Sequence, residues 1–188
     1  MEIIKIYQTL EDRDNADYIE DNGPFQCSRK NAWLGNGYYF WDTFIENAHW
    51  WGGLLYDDKY VITEAKIDFC ISTCFDLVGS AKHMLEFENL IELMKEKGLV
   101  TEKTTVARVI SFVKDTLQIF QYDAVRVYGI QSRSVDTTPS YRMNFELGKT
   151  QYLDFKPAIQ ICIYRTKPMN FRDYQIVYPD EYISGYVI

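Results

Sequence analysis

The residues best suited to chemistry in this sequence lie between positions 33 and 51, which read WLGNGYYFWDTFIENAHWW. If 37–41 is a strand, Tyr39 points away from both of its strand neighbours. If a helix follows, Asn47 and Trp50 are three residues apart and share one helix face. Two rings that meet at such a turn form a slot for a flat heterocycle, and Asn47 could hydrogen-bond a carboxamide there. The alternative is that these aromatic residues are packed core.

A second candidate is Gln160, a polar residue within the apolar run AIQICIY at 158–164. In a strand, the three isoleucines of this run share one face and leave Gln160 and Cys162 on the other. Gln160 could therefore face a cleft together with the rings of the first segment. It could equally be an ordinary polar strand residue.

Metal binding is not expected, because the two histidines, His49 and His83, do not lie at ligand spacing from the four cysteines. Cysteines in a chain of this length are expected to be free thiols. We expect His49 on a helix surface and His83 on a solvated helix face.

The elements that must position the candidate residues follow from periodicity and capping. Short β-rich or alternating runs predict strands at 3–7, 37–41, 59–68, 123–129, 158–164 and 175–178. Thr43-x-x-Glu46 has the pattern of a capping box, so Thr43 is expected to cap a helix. Apolar residues at helical spacing predict two more helices, one from Met84 to Gly98 and one from Thr101 to Leu117. Strands from both ends of the chain, with helices between them, predict an α+β fold in one domain, 1–188.

Composition limits the classes of function. The net charge is −7, which argues against a protein held to nucleic acid by a broad basic face. The acidic residues after the first apolar run are unlike a signal peptide, and no apolar run approaches membrane-spanning length. A cytoplasmic protein is therefore expected. Aromatic residues make up 16% of the chain, more than a core of this size needs, so some should line a cleft.

One long segment has no predicted structure. Residues 130–157 are polar and aperiodic, and they are too many for a simple connection in a compact domain. Such a segment is more typical of a functional loop.

The first segment resembles a known family. Gly37-Tyr38-Tyr39-Phe40 followed by Asn47-Ala48-His49-Trp50 is similar to the Gly-x-Tyr-Phe…Ser-x-x-Tyr segment of the diphtheria-toxin/poly(ADP-ribose)-polymerase branch of ADP-ribosyltransferases. The longer string WLGNGYYFW resembles a small, uncharacterised bacterial group of that superfamily. The resemblance implies that Tyr39 and Trp50 sandwich nicotinamide and that Asn47 binds its amide. Gly37 would let the backbone approach the dinucleotide closely.

Two further motifs of the family have counterparts in this chain. Its His-Gly-Ser/Thr motif at the end of the opening strand has its counterpart in Tyr7-Gln8-Thr9, with Gln8 in the place of the histidine and Thr9 in the place of the glycine. This implies that Gln8 and Thr9 bind NAD⁺, with Gln8 at the nicotinamide ribose. Its catalytic glutamate, which opens a late central strand, corresponds to Gln160. A glutamine there can hold a ribose hydroxyl but supplies no negative charge to the transition state.

The resemblance implies a split β-sandwich with helices packed around it and NAD⁺ between two sheets. The implied reaction transfers ADP-ribose from NAD⁺ to a macromolecule, protein or nucleic acid, and releases nicotinamide. Arg133, Tyr141 and Arg142 would contact the acceptor. A bacterial toxin or defence effector is implied by analogy. The alternatives are a non-catalytic module that binds NAD⁺, ADP-ribose or a protein, and an NAD⁺ hydrolase.

Overall fold

The computed structural model describes residues 1–27, 32–129 and 141–183 of the chain. Its strands are β1 (Glu2–Glu11), β2 (Tyr38–Asp42), β3 (Tyr60–Phe69), β4 (Cys74–Asp76), β5 (Ala124–Tyr128), β6 (Arg142–Asn144), β7 (Tyr152–Asp154), β8 (Ile159–Ile163) and β9 (Arg172–Tyr178). Its helices are α1 (Ala16–Asn22), α2 (Ile45–Tyr56), α3 (Ala81–Glu96) and α4 (Val106–Ser111). A π-helical turn, Phe112–Thr116, follows α4, and two 3-10 turns, Lys167–Met169 and Asp180–Tyr182, flank β9. The predicted α+β class is confirmed.

The described strands form one large sheet and a separate hairpin. The large sheet has the order β4-β5-β8-β2-β1-β3-β9, and β6 pairs with β7 in the hairpin. In the large sheet β4 and β5 are parallel, and the other neighbours are antiparallel. The split β-sandwich implied by the resemblance has two sheets. In this structure the seven strands instead form one continuous hydrogen-bonded sheet.

This sheet narrows where β1 meets β2. The two strands pair only through Ile6 with Asp42 and Tyr7 with Trp41, whereas β1 and β3 pair along their whole length. The junction therefore divides the sheet into a four-stranded half, β4-β5-β8-β2, and a three-stranded half, β1-β3-β9. We call the pairs at Ile6 and Tyr7 the junction.

Strand alternation separates the two faces of the sheet. Tyr7, Trp41 and Gln160 are cross-strand neighbours and lie on one face, which we call the site face. The opposite face carries a core of buried residues, namely Ile6, Phe40, Ala65, Ile67, Cys74, Ala124, Ile161, Ile163 and Met169. The predicted division of β8, with isoleucines on one side and Gln160 and Cys162 on the other, is confirmed.

Helix α2 covers the site face beside the junction. The hydroxyl of Thr9 donates to the Ala48 carbonyl at 2.9 Å, and Ala48 is fully buried. A Cβ atom at Gly52 would lie 2.4 Å from the Tyr60 ring, so only glycine allows this close approach. The helix is thereby fixed against β1 and β3.

Two helices begin later than their sequence predicts. Thr43 has a positive φ of 62°, and its hydroxyl donates to Asp42, so it caps nothing and α2 begins at Ile45. The expected capping box at Thr43 is wrong. Helix α4 begins at Val106 rather than near residue 101, because Thr105 accepts from the Arg108 N–H. Thr105 thus supplies the cap of α4, whereas Phe44, at the N-cap position of α2, makes no side-chain capping bond.

His83 is not on a solvated helix face. It is buried, its Nδ1 accepts from the Asp76 N–H at 2.9 Å, and its ring stacks on Phe75 with centroids 5.1 Å apart. The prediction failed because the first turn of α3 faces β4 rather than water. His83 therefore ties the helix to the edge of the four-stranded half.

Candidate functional site

A row of side chains crosses the site face at the junction. The strand register places Glu64, Tyr7, Trp41, Gln160 and Val127 side by side on five neighbouring strands. Neighbouring members are about one strand spacing apart, roughly 4.8 Å. Burial raises the pKa of Tyr7, and its hydrogen bond with Glu64 raises it further. We call this arrangement the junction row.

Gln160 is held within the row by a tryptophan from far away in the sequence. Its side chain is buried, and its Oε1 accepts a hydrogen bond from the Trp33 indole N–H at 3.0 Å. An indole nitrogen can only donate, so the amide must present its oxygen to Trp33. The amide nitrogen is the atom left for another partner.

Trp33 belongs to a short segment that is fastened to β2 and β8. The Tyr39 hydroxyl accepts from the Leu34 N–H at 2.9 Å and donates to the Gly35 carbonyl at 2.7 Å. The Tyr164 hydroxyl donates to the Leu34 carbonyl at 2.8 Å. Leu34 itself is fully buried. We call residues 33–35 with these hydroxyls and Gln160 the clasp.

The glycines around the clasp are needed for packing. A Cβ at Gly37 would lie 2.5 Å from the Sγ of Cys162 and 3.0 Å from the Ile163 carbonyl oxygen. Gly35 has a positive φ of 82°, which favours glycine. Gly37 was expected to let the backbone approach a dinucleotide. In the structure it allows the backbone to pass close to Cys162 and Ile163 of β8. Four residues of the motif WLGNGY, Trp33, Leu34, Gly35 and Gly37, therefore have structural roles in the clasp or beside it.

The strand residue whose ring contacts Trp50 is Trp41. The two indoles contact edge to face with centroids 6.0 Å apart, and Trp51 lies 6.1 Å from Trp41 in the same cluster. Tyr39 packs instead with the clasp and with Cys162. The expected pair of Tyr39 and Trp50 is thus divided between two neighbouring clusters. Gln160 thus has the half-buried ring of Trp33 as a hydrogen-bond partner and the buried ring of Trp41 as a cross-strand neighbour.

Asn47 is oriented in the opposite sense to Gln160. It is buried, and its Nδ2 donates to the Pro157 carbonyl at 3.1 Å. A carbonyl can only accept, so the amide oxygen of Asn47 is the atom left for another partner. Pro157 lies two residues before β8, so both amides belong to the same end of that strand.

Gln8 does not lie on the site face. Its side chain points to the face of Ile6, where its Nε2 donates to the Phe25 carbonyl at 2.8 Å and its Oε1 accepts from the Phe25 N–H at 3.0 Å. The expectation that Gln8 binds the nicotinamide ribose is therefore corrected. Tyr7 and Thr9 occupy the site face instead. Alternation from the buried Ile6 could have placed them there from the sequence alone.

The segment expected to be polar and irregular contains an amphipathic hairpin. The pairs Tyr141 with Phe155 and Met143 with Leu153 put apolar side chains on one face. Met143 is 62% exposed, Phe145 70% and Leu147, at the tip, 99%. We call these residues the apolar face of the hairpin.

The hairpin is anchored beside α2. The Lys156 ammonium pairs with Glu46 and lies 4.6 Å from the centre of the Tyr141 ring. Arg142 lies on the other hairpin face, with its guanidinium 4.3 Å from the Tyr152 ring. Arg133 lies outside the described residues.

His49 is half-buried rather than on a helix surface. Its Nδ1 is 3.0 Å from the Tyr60 hydroxyl, and its ring meets Tyr178 edge to face at 4.8 Å. Burial lowers its pKa below the ordinary value of 6.5. The residue helps to fix α2 on the three-stranded half.

Within the described ranges, no three side chains of the metal-binding types lie together, and no helix is long and apolar enough to cross a membrane. Burial raises the pKa of Cys162 to about 12, so this thiol is a poor nucleophile at neutral pH.

Comparisons with other proteins give no further guide to the function. No family model, curated protein or solved structure matches the chain. The functional argument therefore depends on the site itself and on the resemblance of the Trp33–Trp51 segment.

Proposed function

We propose that the chain is an ADP-ribosyltransferase-like protein that binds NAD⁺ on the site face at the junction and transfers its ADP-ribose to a protein. The observation that carries the proposal is the junction row, in which Tyr7, Trp41 and Gln160 stand side by side on three central strands. Trp50 of α2 contacts the same row through Trp41.

The orientations of the two amides suit the nicotinamide end of NAD⁺. The amide oxygen of Asn47 can accept from the carboxamide NH₂, and the amide nitrogen of Gln160 can donate to a ribose hydroxyl. Trp50 lies three residues after Asn47 on α2 and therefore on the same helix face. Tyr39 supports the site as part of the clasp, because its hydroxyl is bonded to the backbone of Leu34 and Gly35 rather than to the ligand.

The junction also changes how the family's first motif is placed on this chain. With Tyr7 in the place of the family's histidine, Thr9 falls in the place of its Ser/Thr, and both lie on the site face. Gln8 then stands where the family has glycine. Thr9 supports α2 by its bond to Ala48, and the Tyr7 ring lies between Glu64 and Trp41.

The reaction breaks the bond between the nicotinamide nitrogen and ribose C1. The electron pair leaves with nicotinamide, and a nucleophilic atom of the acceptor forms the new bond to C1 and loses its proton. Positive charge develops on the ribose, and Gln160 offers no negative charge to stabilise it. Glu64, the carboxylate of the junction row, is paired with Lys5 at 3.0 Å and stands three strands away. A low rate is therefore expected.

The hairpin favours a protein as the acceptor. Its apolar face can pack against an apolar patch of another polypeptide. Nucleic acid, by contrast, is bound mainly through the positively charged side chains of lysine and arginine. The net charge of −7 also disfavours nucleic acid. The anchor to Glu46 keeps a docked partner next to α2 and hence next to the site.

A second candidate function is a non-catalytic module that binds NAD⁺ or ADP-ribose. The observation that favours it is that Tyr39, Asn47 and Gln160 all make hydrogen bonds within the protein, and that position 160 carries no carboxylate. The two functions are distinguished by nicotinamide, which a transferase releases and a non-catalytic module does not.

The deciding experiment incubates the protein with adenine-labelled NAD⁺ and a bacterial lysate, and measures nicotinamide and label on protein and nucleic acid. We expect slow nicotinamide release with label on protein. Gln160→Glu should raise the release severalfold, because it places a carboxylate beside the developing charge. Gln160→Ala should reduce it. Gln175→Glu is the matched control, because this glutamine is exposed on β9.

Three results would change the assignment. NAD⁺ binding without nicotinamide release, in the wild type and in Gln160→Glu, would favour the non-catalytic module. Release without macromolecular label would favour an NAD⁺ hydrolase. Absence of NAD⁺ binding by calorimetry would contradict both the transferase and the hydrolase.

A further inference from the structure

The amide of Gln160 has one neighbour that decides its orientation. Exchanging the oxygen and nitrogen of a glutamine amide changes its shape little, so the orientation is set by hydrogen-bond partners. Trp33 donates to this amide at 3.0 Å and cannot accept. Turning the amide over would set two donors against each other in a buried site, which costs more than the lost bond alone.

Trp33 is itself held in place on several sides. The next residue, Leu34, is fully buried, and its backbone is fixed by Tyr39 and Tyr164. The far edge of the indole packs on Gly129, where a Cβ would lie 2.4 Å from a ring carbon. The indole therefore spans from Gln160 to the end of β5 with little freedom to turn.

We propose that Trp33 is a positioning residue that turns the amide nitrogen of Gln160 toward the ligand, so that position 160 recognises a hydrogen-bond acceptor. The identity of the ligand, the ribose hydroxyls of NAD⁺, rests on the proposed function. The contact between Trp33 and Gln160 does not.

The contact can be tested without any ligand. In ¹⁵N-labelled protein the four tryptophans give four indole N–H signals, and Trp33→Phe identifies that of Trp33. Gln160→Met keeps the length of the side chain but removes the strong acceptor, so the Trp33 signal should move upfield. Gln160→Glu retains an acceptor and should leave it downfield. A signal that is the same in Gln160→Met and the wild type overturns the proposal.

The effect on the ligand is tested by a double-mutant cycle for NAD⁺ affinity. Trp33→Phe and Gln160→Met should each weaken binding about fivefold, the scale of one hydrogen bond. Since Trp33 acts through Gln160, the double variant should be no weaker than either single variant. Tyr182→Phe, which removes a hydroxyl bonded to Asp12 away from the site, should bind like the wild type.

The outcomes of the cycle are distinct. Additive losses, about 25-fold in the double variant, would mean that Trp33 acts on its own and would overturn the positioning role. A lower melting temperature with unchanged affinity in Trp33→Phe would show a purely structural residue and would also overturn it. A wild type that does not bind NAD⁺ would overturn the proposed function and the ligand-facing role, while the indole signal still decides whether the contact exists.

Discussion

The clasp and the hairpin β6–β7 differ in how much of their apolar surface is buried. In the clasp, the backbone of Leu34 and Gly35 is bonded to tyrosine hydroxyls and Leu34 is fully buried. In the hairpin, Phe145 and Leu147 lie mostly in water. Both segments are rich in aromatic residues, so composition does not distinguish them.

The difference indicates which region carries stability and which carries recognition. Buried apolar area and satisfied hydrogen bonds stabilise the folded state, and the clasp has both. An exposed apolar face contributes little to the stability of the folded chain, but its burial against a partner stabilises the complex. Changes in the clasp should therefore lower stability, and changes on the hairpin should lower association.

The largest expected effect is that of Gly37→Ala beside the clasp. The new methyl group would meet the buried Sγ of Cys162 and a backbone oxygen, so the free energy of unfolding should fall by up to about 3 kcal/mol. Urea unfolding measures this. Gly53→Ala is the control, because that glycine is exposed in α2. Alanine there should raise the free energy of unfolding by about 0.5–1 kcal/mol. Equal stability of Gly37→Ala and the wild type would refute the packing role.

A smaller loss is expected when the clasp loses one hydroxyl. Tyr39→Phe keeps the ring but leaves the Leu34 N–H and the Gly35 carbonyl without their partner, which should cost about 1–2 kcal/mol in urea unfolding. NAD⁺ affinity of the folded variant should change less than stability does. A variant that loses affinity but no stability would show that the hydroxyl contacts the ligand instead.

Changes on the hairpin should reduce transfer to a protein acceptor and leave stability nearly unchanged. Phe145→Ser combined with Leu147→Ser should reduce transfer of ADP-ribose to protein about tenfold, the scale of a lost interface anchor. The free energy of unfolding should change by less than about 0.5 kcal/mol, since both side chains are exposed. Asn144→Ala, an exposed residue on the other hairpin face, is the control. If nicotinamide release without acceptor also collapses, the hairpin belongs to the NAD⁺ site.

The smallest effect concerns pH and the helix that joins the two regions. Burial depresses the pKa of His49, although Glu46 opposes the shift, so the unfolded chain binds this proton more readily. Stability should therefore be full above pH 6.5 and should fall as the pH drops from about 6.5 toward the lower folded value. His49→Gln should abolish this slope in urea unfolding between pH 7.5 and 5.5. A wild type with flat stability over that range would contradict the assignment.

Local patterns in the sequence were enough for several features. The strands predicted at 37–41 and 158–164 lie within one residue of β2 and β8 at each end, because short β-rich runs and turn residues are local signals. Alternation also placed Gln160 and Cys162 on one face. Alternation applied to β1 would have placed Tyr7 and Thr9 on the site face, and the error at Gln8 came from following the motif instead.

Tertiary structure alone decided the rest. The bond between Trp33 and Gln160 joins residues 127 positions apart, and no periodicity within either segment indicates it. His83 is buried because β4 happens to lie beneath the first turn of α3, and Gly37 is required because β8 passes within contact distance. The sequence by itself determined the α+β class and the two faces of β8, since both depend on neighbours in the chain. Which polar groups meet across the sheet depends on strand order and register, and these are set by contacts distant in sequence.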